Sequence, residues 1–388
     1  MKKKIAILGS TGSIGRQTID IIRKDKKNFE IYLLTASKNH SLLSKQIKEF
    51  NVKNVIITNK KSYLILKNKF RKIKILNNFE KIDKIFKSKI DFTMSSISGF
   101  DGLKPTIKII KKTKTIAIAN KESIICGWNL IKKHLDKYKT KFIPVDSEHF
   151  SIWSVIKNLN PNEIDQVIIT ASGGPFFNKK NDKLKKTPKL VTNHPNWNMG
   201  KKISTDSATL MNKVFEVIEA KKIFNLDLNK LTIYIHPNSY IHAIVKLKNG
   251  LIKLVAHETD MKIPILNSIY NQNTKIKSKK ININFLNNLN LNKVDLKKYP
   301  SVKLLKLVPK KDTLFETLLV SANDELVRLF LKNKINYDDI YIKLKQIINN
   351  KIFAKYRLKK VSNLRQIEKL NEFVRLKTKS LSVISKSK

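Results

Sequence analysis

Carboxylates in two parts of the sequence have types and spacing that suit a divalent metal ion. Asp146 and Glu148 follow a predicted strand at residues 141–144, and carboxylates at positions i and i+2 of a loop can converge on one cation. Glu216 or Glu219, in a later helical segment, can supply a third oxygen ligand. An all-oxygen ligand set with room for water and substrate suits Mg²⁺ or Mn²⁺ and disfavours zinc. An Asp-x-Glu pair alone is a weak signal, and a solvent-exposed acidic pair is the alternative interpretation.

Two segments carry groups that suit a bound phosphate. A Ser-Gly-Gly turn at Ser172 offers a hydroxyl and unobstructed N–H groups to an anion. A later segment adds two neutral polar side chains and a cation, which are Ser207, Asn212 and Lys213. Lys213 lies three residues before Glu216, so the two share a helical face. The sequence therefore predicts a phosphate clamp beside a metal ligand, as a phosphorylated, metal-chelating substrate requires.

The loop between these segments, predicted at residues 172–203, has the features of an active-site lid. It is long, it has small residues near both ends, and Trp197 lies near its tip. The tip segment, residues 194–200, begins at His194 and ends at Gly200. A structural loop with Trp197 packed in the core is the alternative interpretation.

Three of the ten glycines, Gly9, Gly12 and Gly15, lie in one predicted strand-to-helix turn. Glycine lets such a turn tighten, lets the backbone approach a pyrophosphate and lets the helix pack on the strand. A bound phosphate would then face N–H groups at the positive end of the helix. The spacing G-x-x-G-x-x-G is less common than G-x-G-x-x-G, and a tight turn without a ligand is the alternative. The position of the turn favours a dinucleotide-binding loop.

The residues after the second predicted strand indicate which dinucleotide binds. A site that selects NAD has a carboxylate there to bind the ribose 2′-hydroxyl. Here the sequence reads Ser37-Lys38-Asn39, with a cation and without an acid. A 2′-phosphate would be attracted by Lys38, so the sequence predicts NADPH. A solvated lysine is the alternative, because lysine is frequent throughout the chain.

The elements that would position these residues follow from the hydrophobic pattern. In the first 120 residues, short apolar runs alternate with helical, lysine-rich segments, which predicts a parallel, doubly wound sheet. Predicted strands there lie at residues 4–8, 31–35, 54–58, 92–95 and 115–119, with helices at 14–24 and 42–50. Later strands are predicted at 141–144, 166–170, 231–235, 243–248 and 251–256, and a helix at about 207–224. The last two strands form a hairpin-like pair around Asn249-Gly250.

The predicted fold class is α/β, in three parts. A Rossmann-like N-terminal domain that binds NADPH is expected at residues 1–145, and an α/β catalytic domain with the metal site and the lid at 146–272. Residues 273–300, which are rich in Asn and Lys, are predicted to form a linker with at most one poor strand. Residues 301–388 are predicted to form a C-terminal helical domain.

The net charge of +49 does not by itself indicate a nucleic-acid-binding protein. Only seven of the 79 basic residues are arginine, the residue best suited to forked hydrogen bonds with bases and phosphates. Lysine is mixed with isoleucine and asparagine along the whole chain, and these three share A/T-rich codons, so a bias of the genome explains the charge. A basic protein that binds nucleic acid stays as an alternative, and its affinity would fall steeply with salt.

Cysteine content and hydropathy indicate the cellular compartment of the protein. One cysteine, Cys126, excludes an intrachain disulfide framework and fits a reducing compartment. No stretch approaches the roughly 20 uninterrupted apolar residues that span a bilayer. The sequence therefore predicts a cytoplasmic protein.

Taken together, these segments resemble the family of 1-deoxy-D-xylulose 5-phosphate reductoisomerases of the non-mevalonate isoprenoid pathway. Any one motif could match by chance, but the matches follow the family's order along nearly the whole chain. The matching stretches are residues 9–15, 119–123, 144–149, 171–176, 194–200, 204–216, 235–239, 260–264 and 322–325.

The resemblance implies an oxidoreductase and isomerase that acts on a small phosphorylated sugar. A metal ion held by Asp146, Glu148 and Glu216 would chelate the substrate's ketone and a neighbouring hydroxyl, and would promote a retro-aldol/aldol rearrangement as a Lewis acid. NADPH would then reduce the branched aldehyde, which gives 2-C-methyl-D-erythritol 4-phosphate. Lys121 and His194 join the three carboxylates as expected catalytic residues. The family is homodimeric, and neither a membrane nor a nucleic acid is an expected partner.

The resemblance also assigns binding residues. The nucleotide would contact Thr11, Gly12, Ser13, Ile14, Ser37, Lys38, Asn39, Asn120, Glu122 and Gly200. The substrate would contact Lys121, Ser147, Glu148, Ser172, His194, Ser207, Asn212, Lys213 and Glu216. Trp197 and Met199 would belong to a lid that excludes water during the reaction.

Two departures from the family pattern leave the metal and phosphate positions unaltered. Ser37 stands where glycine is usual, and its side chain is expected to hinder a positive φ and to alter adenosine binding. The segment 322–325 also differs from the usual pattern, away from the chemistry. An ordinary NADP-dependent dehydrogenase with the same fold is the alternative function. It would not need the three carboxylates, so Asp146→Asn would then spare turnover.

Overall fold

A computed structural model describes residues 1–178, 185–197, 199–270, 283–287 and 289–383. The chain forms two compact units. The first comprises Met1–Ser123, Leu130–Phe150 and Met261–Lys277, and the second comprises Ile124–Asn129, Ser151–Asp260 and Ser278–Lys388. The domain boundaries expected at residues 145, 272 and 300 stay predictions.

The first unit is built on a parallel sheet that has seven strands among the described residues. These are β1 (Lys3–Leu8), β2 (Phe29–Ala36), β3 (Asn54–Ile57), β4 (Lys74–Leu76), β5 (Ile90–Ser95), β6 (Thr113–Ile118) and β7 (Lys141–Pro144). The order is β4-β3-β2-β1-β5-β6-β7, and every neighbouring pair is parallel. The order reverses between β1 and β5, and the carboxyl ends of strands at such a reversal form the ligand-binding edge of a doubly wound sheet.

Helices connect these strands, as the alternating pattern predicts. They are α1 (Ser13–Arg23), α2 (His40–Phe50), α3 (Lys60–Lys69), α4 (Leu103–Ile110) and α5 (Lys121–Tyr138). In α1, Ile19 and Ile22 are buried, whereas Arg16 and Arg23 are exposed. One face of the helix is therefore apolar and the other is charged. The short edge strand β4 was not expected, because a half-buried run of three residues carries no periodic signal.

The second unit holds a mixed sheet with five strands among the described residues. These are β8 (Ile164–Ala171), β9 (Leu231–Ile235), β10 (Ile241–Leu247), β11 (Ile252–Ala256) and β12 (Asn292–Lys293). The order is β11-β10-β8-β9-β12; β8 and β9 are parallel, and the other pairs are antiparallel. β10 and β11 form the predicted hairpin pair. The core of this unit includes Val167, Ile169 and Val245.

The later helices begin directly after β7. They are α6 (Ser147–Ile156), α7 (Pro188–Val191), α8 (Lys201–Ala208), α9 (Met211–Phe224), α10 (Lys262–Tyr270), α11 (Ile283–Asn287), α12 (Phe315–Leu331), α13 (Asp339–Asn349) and α14 (Leu364–Val383). α12, α13 and α14 form the predicted C-terminal helical region, and α12 is buried along most of its length. Among the described residues, every helix is too short or too polar to span a bilayer.

The prediction of a single helix at about 207–224 is wrong, because two helices meet there. α8 ends at Ala208 and α9 begins at Met211, and between them Leu210 has a φ of 55°. This backbone conformation is unfavourable for leucine, but the side chain is 1% exposed, so its burial offsets the cost.

Two expected irregular segments are described only in part. The loop predicted at 172–203 contains the short helix α7, and α8 begins at Lys201, inside its predicted end; residues 179–184 and 198 lie outside the described residues. Of the predicted linker at 273–300, residues 273–282 and 288 lie outside the described residues. The described part includes β12, a strand of two residues that fits the expectation of one poor strand.

Candidate active site

Two glycines shape the turn between β1 and α1. Gly9 has a φ of 82°, and a Cβ there would lie 2.9 Å from the carbonyl oxygen of Ser96. A Cβ at Gly15 would overlap the Gly9 carbonyl oxygen, so the first turn of α1 packs this closely only with glycine at this position. Both positions therefore disfavour any side chain, as a dinucleotide-binding loop requires.

The N-terminus of α1 is suited to an anion. Gly12 is the N-cap residue, no side chain caps the helix, and its first turn contains no acidic residue. The N–H groups of this turn lie at the positive end of the helix dipole, where a pyrophosphate binds. Thr11, Gly12 and Ile14 are half-buried and Ser13 is exposed. The predicted nucleotide residues of this loop therefore surround one helix terminus.

Hydrogen bonds fix this loop between the ends of β2 and β5. The N–H groups of Gly9 and Ser10 donate to the Thr35 hydroxyl and carbonyl oxygens, at 2.9 Å each. On the other side, the Ser96 hydroxyl donates to the Leu8 carbonyl oxygen at 2.7 Å. The loop therefore lies where the strand order reverses. Residues 96–99 border the same edge, and sequence reasoning missed them although two serines and a glycine follow a buried strand there.

The residues predicted to select NADPH follow β2 directly. Ser37, Lys38 and Asn39 are all exposed, and the Asn39 side chain accepts a hydrogen bond from the Leu42 N–H group at 3.0 Å, which caps α2. Ser37 is not among the described residues with a positive φ. The prediction that its side chain hinders such a φ is therefore wrong. Lys38 is accessible to a negatively charged group such as a 2′-phosphate.

Asn120 orders the edge of the sheet beside this loop. Its side-chain amide donates to the carbonyl oxygens of Ile97 and Gly99, and its oxygen accepts from the Ser123 N–H group at 2.5 Å, which caps α5. The residue is 2% exposed, and its neighbour Glu122 is 7% exposed. Asn120 therefore ties the start of α5 to residues 96–99, a role that its predicted nucleotide contact does not include.

Asp146 and Glu148 lie at the start of α6, directly after β7. The Lys121 ammonium, at the start of α5, lies 3.0 Å from Asp146 Oδ2, and His149 Nδ1 lies 3.6 Å from Asp146 Oδ1. The Ser147 hydroxyl donates to the Glu148 carboxylate. The first unit therefore gathers Lys121 and the three predicted site residues of the Asp-Ser-Glu motif at the carboxyl end of its sheet.

His194 and Ser172 are brought together in the second unit. His194 Nε2 lies 2.9 Å from Ser172 Oγ, and His194 Nδ1 accepts from the N–H groups of Asn196 and Trp197 at 3.1 Å each. Because Nδ1 is an acceptor, the proton of the neutral ring is on Nε2 and points to Ser172. Burial and, secondarily, the positive charge of Lys213 lower the pKa of His194 to about 4, so the ring is neutral at neutral pH.

The Ser-Gly-Gly turn has the geometry of an anion-binding turn. Gly173 and Gly174 have φ values of 80° and 69°, which favour glycine. The Gly174 N–H group donates to Ser172 Oγ at 3.1 Å. Since the imidazole and this N–H group both donate to Ser172 Oγ, the hydroxyl proton is available to an acceptor. A Cβ at Gly174 would lie 3.1 Å from the Ser207 carbonyl oxygen, so the turn lies against the last turn of α8.

The first turn of α9 carries the remaining predicted phosphate and metal residues. Lys213 Nζ lies 2.6 Å from Glu216 Oε2, and the Asn212 amide donates to Glu216 Oε1 at 2.5 Å. Glu216 is 1% exposed. Glu219, the alternative third ligand, lies one turn later and is also 1% exposed. The break at Leu210 therefore places a cation and an amide beside a buried carboxylate.

The tip of the predicted lid contacts one member of a stacked histidine pair. Trp197 is half-buried and meets the ring of His242 edge-on at 6.1 Å, and His242 stacks on His257 at 3.7 Å. Gly200 is the N-cap of α8, and among the described residues, its two chain neighbours aside, no atom lies within 4 Å of the position its Cβ would take. Asn198 lies outside the described residues. Sequence reasoning missed the histidine pair, because its members come from β10 and from the residue after β11.

Comparison with known proteins identifies the family. Family models described as 1-deoxy-D-xylulose 5-phosphate reductoisomerase, its C-terminal domain and the DXP reductoisomerase C-terminal domain match residues 5–127, 142–224 and 257–377. The 1-deoxy-D-xylulose 5-phosphate reductoisomerase of Pelagibacter ubique is 58% identical, over 98% of this chain and 100% of its own. The chain belongs to the 1-deoxy-D-xylulose 5-phosphate reductoisomerase family. The reductoisomerase of Persephonella marina is 38% identical over 91% of this chain and 92% of its own.

Solved structures of reductoisomerases have the same fold. One in complex with NADPH, fosmidomycin and magnesium has a TM-score of 0.91 at 30% identity and covers 99% of both chains. The Zymomonas mobilis reductoisomerase in complex with NADPH has a TM-score of 0.89 at 29% identity, over 98% of this chain and 99% of its own. The predicted family, the α/β fold class with a C-terminal helical region, and the predicted NADP-dependent oxidoreductase class are confirmed. The sequence predicts NADPH and either Mg²⁺ or Mn²⁺ as cofactors, and NADPH and magnesium are present in these related structures.

Proposed function

We propose that this chain converts 1-deoxy-D-xylulose 5-phosphate into 2-C-methyl-D-erythritol 4-phosphate, with NADPH as the reductant and Mg²⁺ or Mn²⁺ as the metal ion. The observation that carries this function is the 58% identity to a reductoisomerase over that protein's full length. The reaction is a step in the synthesis of isoprenoid precursors.

The substrate phosphate is bound in the second unit. Lys213 supplies the positive charge, and the free hydroxyl proton of Ser172 points to a phosphate oxygen. His194, which is neutral because its pKa is about 4, fixes the Ser172 hydroxyl through its Nε2–H group. The full set of proposed phosphate and substrate residues in this unit is Ser172, His194, Ser207, Asn212, Lys213 and Glu216.

Asp146, Glu148 and Glu216 are the proposed metal ligands. All three offer only carboxylate oxygens, the donors that Mg²⁺ and Mn²⁺ prefer, and Glu216 is a buried carboxylate that needs a compensating cation. When bound, the ion would act as a Lewis acid towards the substrate ketone. Lys121 Nζ lies 3.0 Å from Asp146 Oδ2, and Lys213 Nζ lies 2.6 Å from Glu216 Oε2.

Lys121 and His194 are the proposed catalytic residues besides the carboxylates. Lys121 has a side chain that is 10% exposed, so its ammonium is held in a partly desolvated position beside Asp146. A cation held in this way can orient an oxygen of the substrate and stabilise negative charge on it. Ser147 and Glu148, which follow Asp146, complete the proposed substrate contacts of this motif.

The carboxyl edge of the first sheet would hold NADPH, which when bound would supply a hydride for the reduction of the aldehyde. The N-terminus of α1 would bind the pyrophosphate, and the exposed Lys38 would bind the 2′-phosphate. The proposed nucleotide residues are Thr11, Gly12, Ser13, Ile14, Ser37, Lys38, Asn39, Asn120, Glu122 and Gly200.

A homodimer is proposed as the assembly, on the support of an exposed edge strand. β11 is at one edge of the second sheet, and Ile252 and Leu254 on it are 58% and 48% exposed. An exposed apolar edge strand is a template for pairing with another chain. A second copy of this chain would cover it.

Three further expectations stand as proposals. The protein has no nucleic-acid partner, in keeping with its shortage of arginine. Its location is cytoplasmic, an expectation that rests on its single cysteine. The nucleotide-binding, catalytic, linker and helical segments are bounded at residues 145, 272 and 300.

The proposed activity is tested by following NADPH absorbance with 1-deoxy-D-xylulose 5-phosphate as the substrate. We expect oxidation of NADPH that requires Mg²⁺ or Mn²⁺, that is lost with EDTA and that yields 2-C-methyl-D-erythritol 4-phosphate. Folded protein that shows no metal-dependent oxidation would contradict the proposal.

A further inference from the structure

Helix α8 connects the predicted lid to the phosphate residues. It begins after Gly200 and ends one residue after Ser207. Lys202 Nζ lies 3.1 Å from Asp206 Oδ2 within this helix and 3.0 Å from Asp324 Oδ1 of α12. A lysine of α8 therefore forms an ion pair with a carboxylate of the C-terminal helical region, at the position where the chain departs from the family pattern.

The ion pairs extend into two C-terminal helices and form a network. Asp324 Oδ2 lies 2.9 Å from an Arg375 guanidinium nitrogen of α14, and the Asn323 amide donates to Asp206 Oδ1 at 2.8 Å. The side chains of Asp206 and Asp324 are only 2% and 7% exposed. Charges buried to this degree need partners, because an unpaired buried carboxylate is strongly destabilising. Two cations and two anions meet that need here.

The C-terminal helical region also contacts the other end of α8. The Tyr337 hydroxyl, between α12 and α13, donates to the Ala208 carbonyl oxygen at 2.7 Å. The ring of Tyr337 packs edge-on against Phe176 at 5.9 Å, just after the Ser-Gly-Gly turn. The C-terminal helical region therefore contacts α8 at both ends and also contacts Phe176, two residues after the turn that carries Ser172.

The position of α8 sets the start of α9. The Thr209 hydroxyl donates to the Thr205 carbonyl oxygen of α8 and accepts from the Met211 N–H group of α9, at 3.3 Å each. Leu210, buried and with a φ of 55°, fixes the angle between the helices. Asn212 and Lys213 follow immediately, so a displacement of α8 moves both phosphate residues of α9 as well as Ser207.

We propose that Asp206, Asn323 and Asp324, together with Lys202 and Arg375, are positioning residues for the substrate phosphate. They hold α8 so that Ser207 and the first turn of α9 converge on one anion, and they give the C-terminal helical region a part in substrate affinity. The inference rests on the proposed phosphate residues.

Asp324→Asn tests this proposal, because it removes the anion between Lys202 and Arg375 and alters no proposed phosphate residue. We expect KM for 1-deoxy-D-xylulose 5-phosphate to rise about tenfold, since small misplacements of binding groups have effects of this size or more, while KM for NADPH changes less than about twofold. Asp324→Glu keeps the carboxylate and should recover most of the lost affinity. Lys202→Met, at a side chain 29% exposed, is the second variant if Asp324→Asn does not fold.

The matched control is Arg328→Met on the same helix. This substitution breaks the ion pair of Arg328 with Glu325 within α12. We expect the stability of the variant to fall, while KM for the sugar phosphate and KM for NADPH stay unchanged. The proposal is overturned if Asp324→Asn and Lys202→Met lower the melting temperature but leave KM for the sugar phosphate unchanged. A wild-type protein without turnover would contradict the proposed function instead. The affinity of the same variants for inorganic phosphate would then test the positioning role.

Discussion

At the scale of single residues, the backbone around His194 decides the chemistry of its side chain. Two main-chain N–H groups occupy Nδ1, so the ring proton is on Nε2, and burial lowers the pKa of the ring to about 4. An unfolded histidine has a pKa of about 6.5. The folded ring therefore stays neutral over a pH range in which the unfolded ring gains a proton.

This difference predicts a pH dependence of stability. At pH above about 6.5 the ring is neutral in both states, and as the pH falls from about 6.5 to 4 only the unfolded state binds the proton, so stability decreases. We expect the free energy of unfolding, measured with urea at pH 7 and pH 5, to fall less in His194→Gln than in the wild type. An equal fall in both proteins would show that His194 titrates normally.

Some single-residue roles could be inferred from the sequence and others could not. The local motif after a predicted strand indicates Asp146 and Glu148, which the structure places at the start of α6, whereas only the resemblance to the family indicates Lys121. The bonds of Asn120 to residues 96–99 are different, since they depend on two loops meeting over a distance of more than 20 residues in the chain. No local pattern records such a contact.

At the scale of elements, periodicity predicted most strands and missed the break between α8 and α9. Strands such as β7 and β9 have the predicted bounds, because apolar runs alternate with turn residues there. The break depends on a leucine in a left-handed conformation whose burial is decided by the surrounding core. A leucine ordinarily indicates a continuing helix, so the pattern could not reveal it.

The turn between β1 and α1 yields a prediction about NADPH. Gly15→Ala would push a methyl group into the Gly9 carbonyl, so the loop must open and its N–H groups no longer converge on the pyrophosphate. We expect the Kd for NADPH, measured by fluorescence titration, to rise at least about tenfold, the equivalent of about 1.4 kcal/mol.

The control for that variant is Gly250→Asn in the hairpin turn of the second unit. Gly250 also has a positive φ, of 89°, but no neighbouring atom of the described part of the chain lies within 4 Å of its Cβ position, and asparagine tolerates this conformation. NADPH affinity should be unchanged in the control. If Gly15→Ala binds NADPH as the wild type does, the turn is not the pyrophosphate site.

At the scale of the whole molecule, the sequence predicted the family, the fold class and the cofactors. The surface that supports the proposed homodimer, the exposed edge strand β11, is defined only by the structure. Ile252 and Leu254 read as ordinary strand residues in the sequence. Their position on an edge strand follows from the sheet order β11-β10-β8-β9-β12, which depends on long-range pairing. Sequence order alone places β11 beside β10 but does not show that its other side has no strand among the described residues.

The proposed homodimer predicts that charge on this edge separates the subunits. Ile252→Lys places an ammonium on the apolar edge, and we expect the dimer dissociation constant from sedimentation equilibrium to rise at least about tenfold. Ile342→Lys is the control, because this substitution adds the same charge to an exposed position of α13, where Ile342 is 51% exposed. A dimer that is equally stable in both variants would place the interface on another surface.

Asp146→Asn tests most directly whether one site joins a metal-dependent rearrangement to a reduction by NADPH. The substitution keeps the size of the side chain and removes the charge of a proposed metal ligand. NADPH oxidation with 1-deoxy-D-xylulose 5-phosphate and Mg²⁺ would be measured beside the Kd for NADPH. We expect turnover to fall at least about a hundredfold while NADPH binding is unchanged. Turnover at the wild-type rate would contradict the account and would favour an ordinary dehydrogenase.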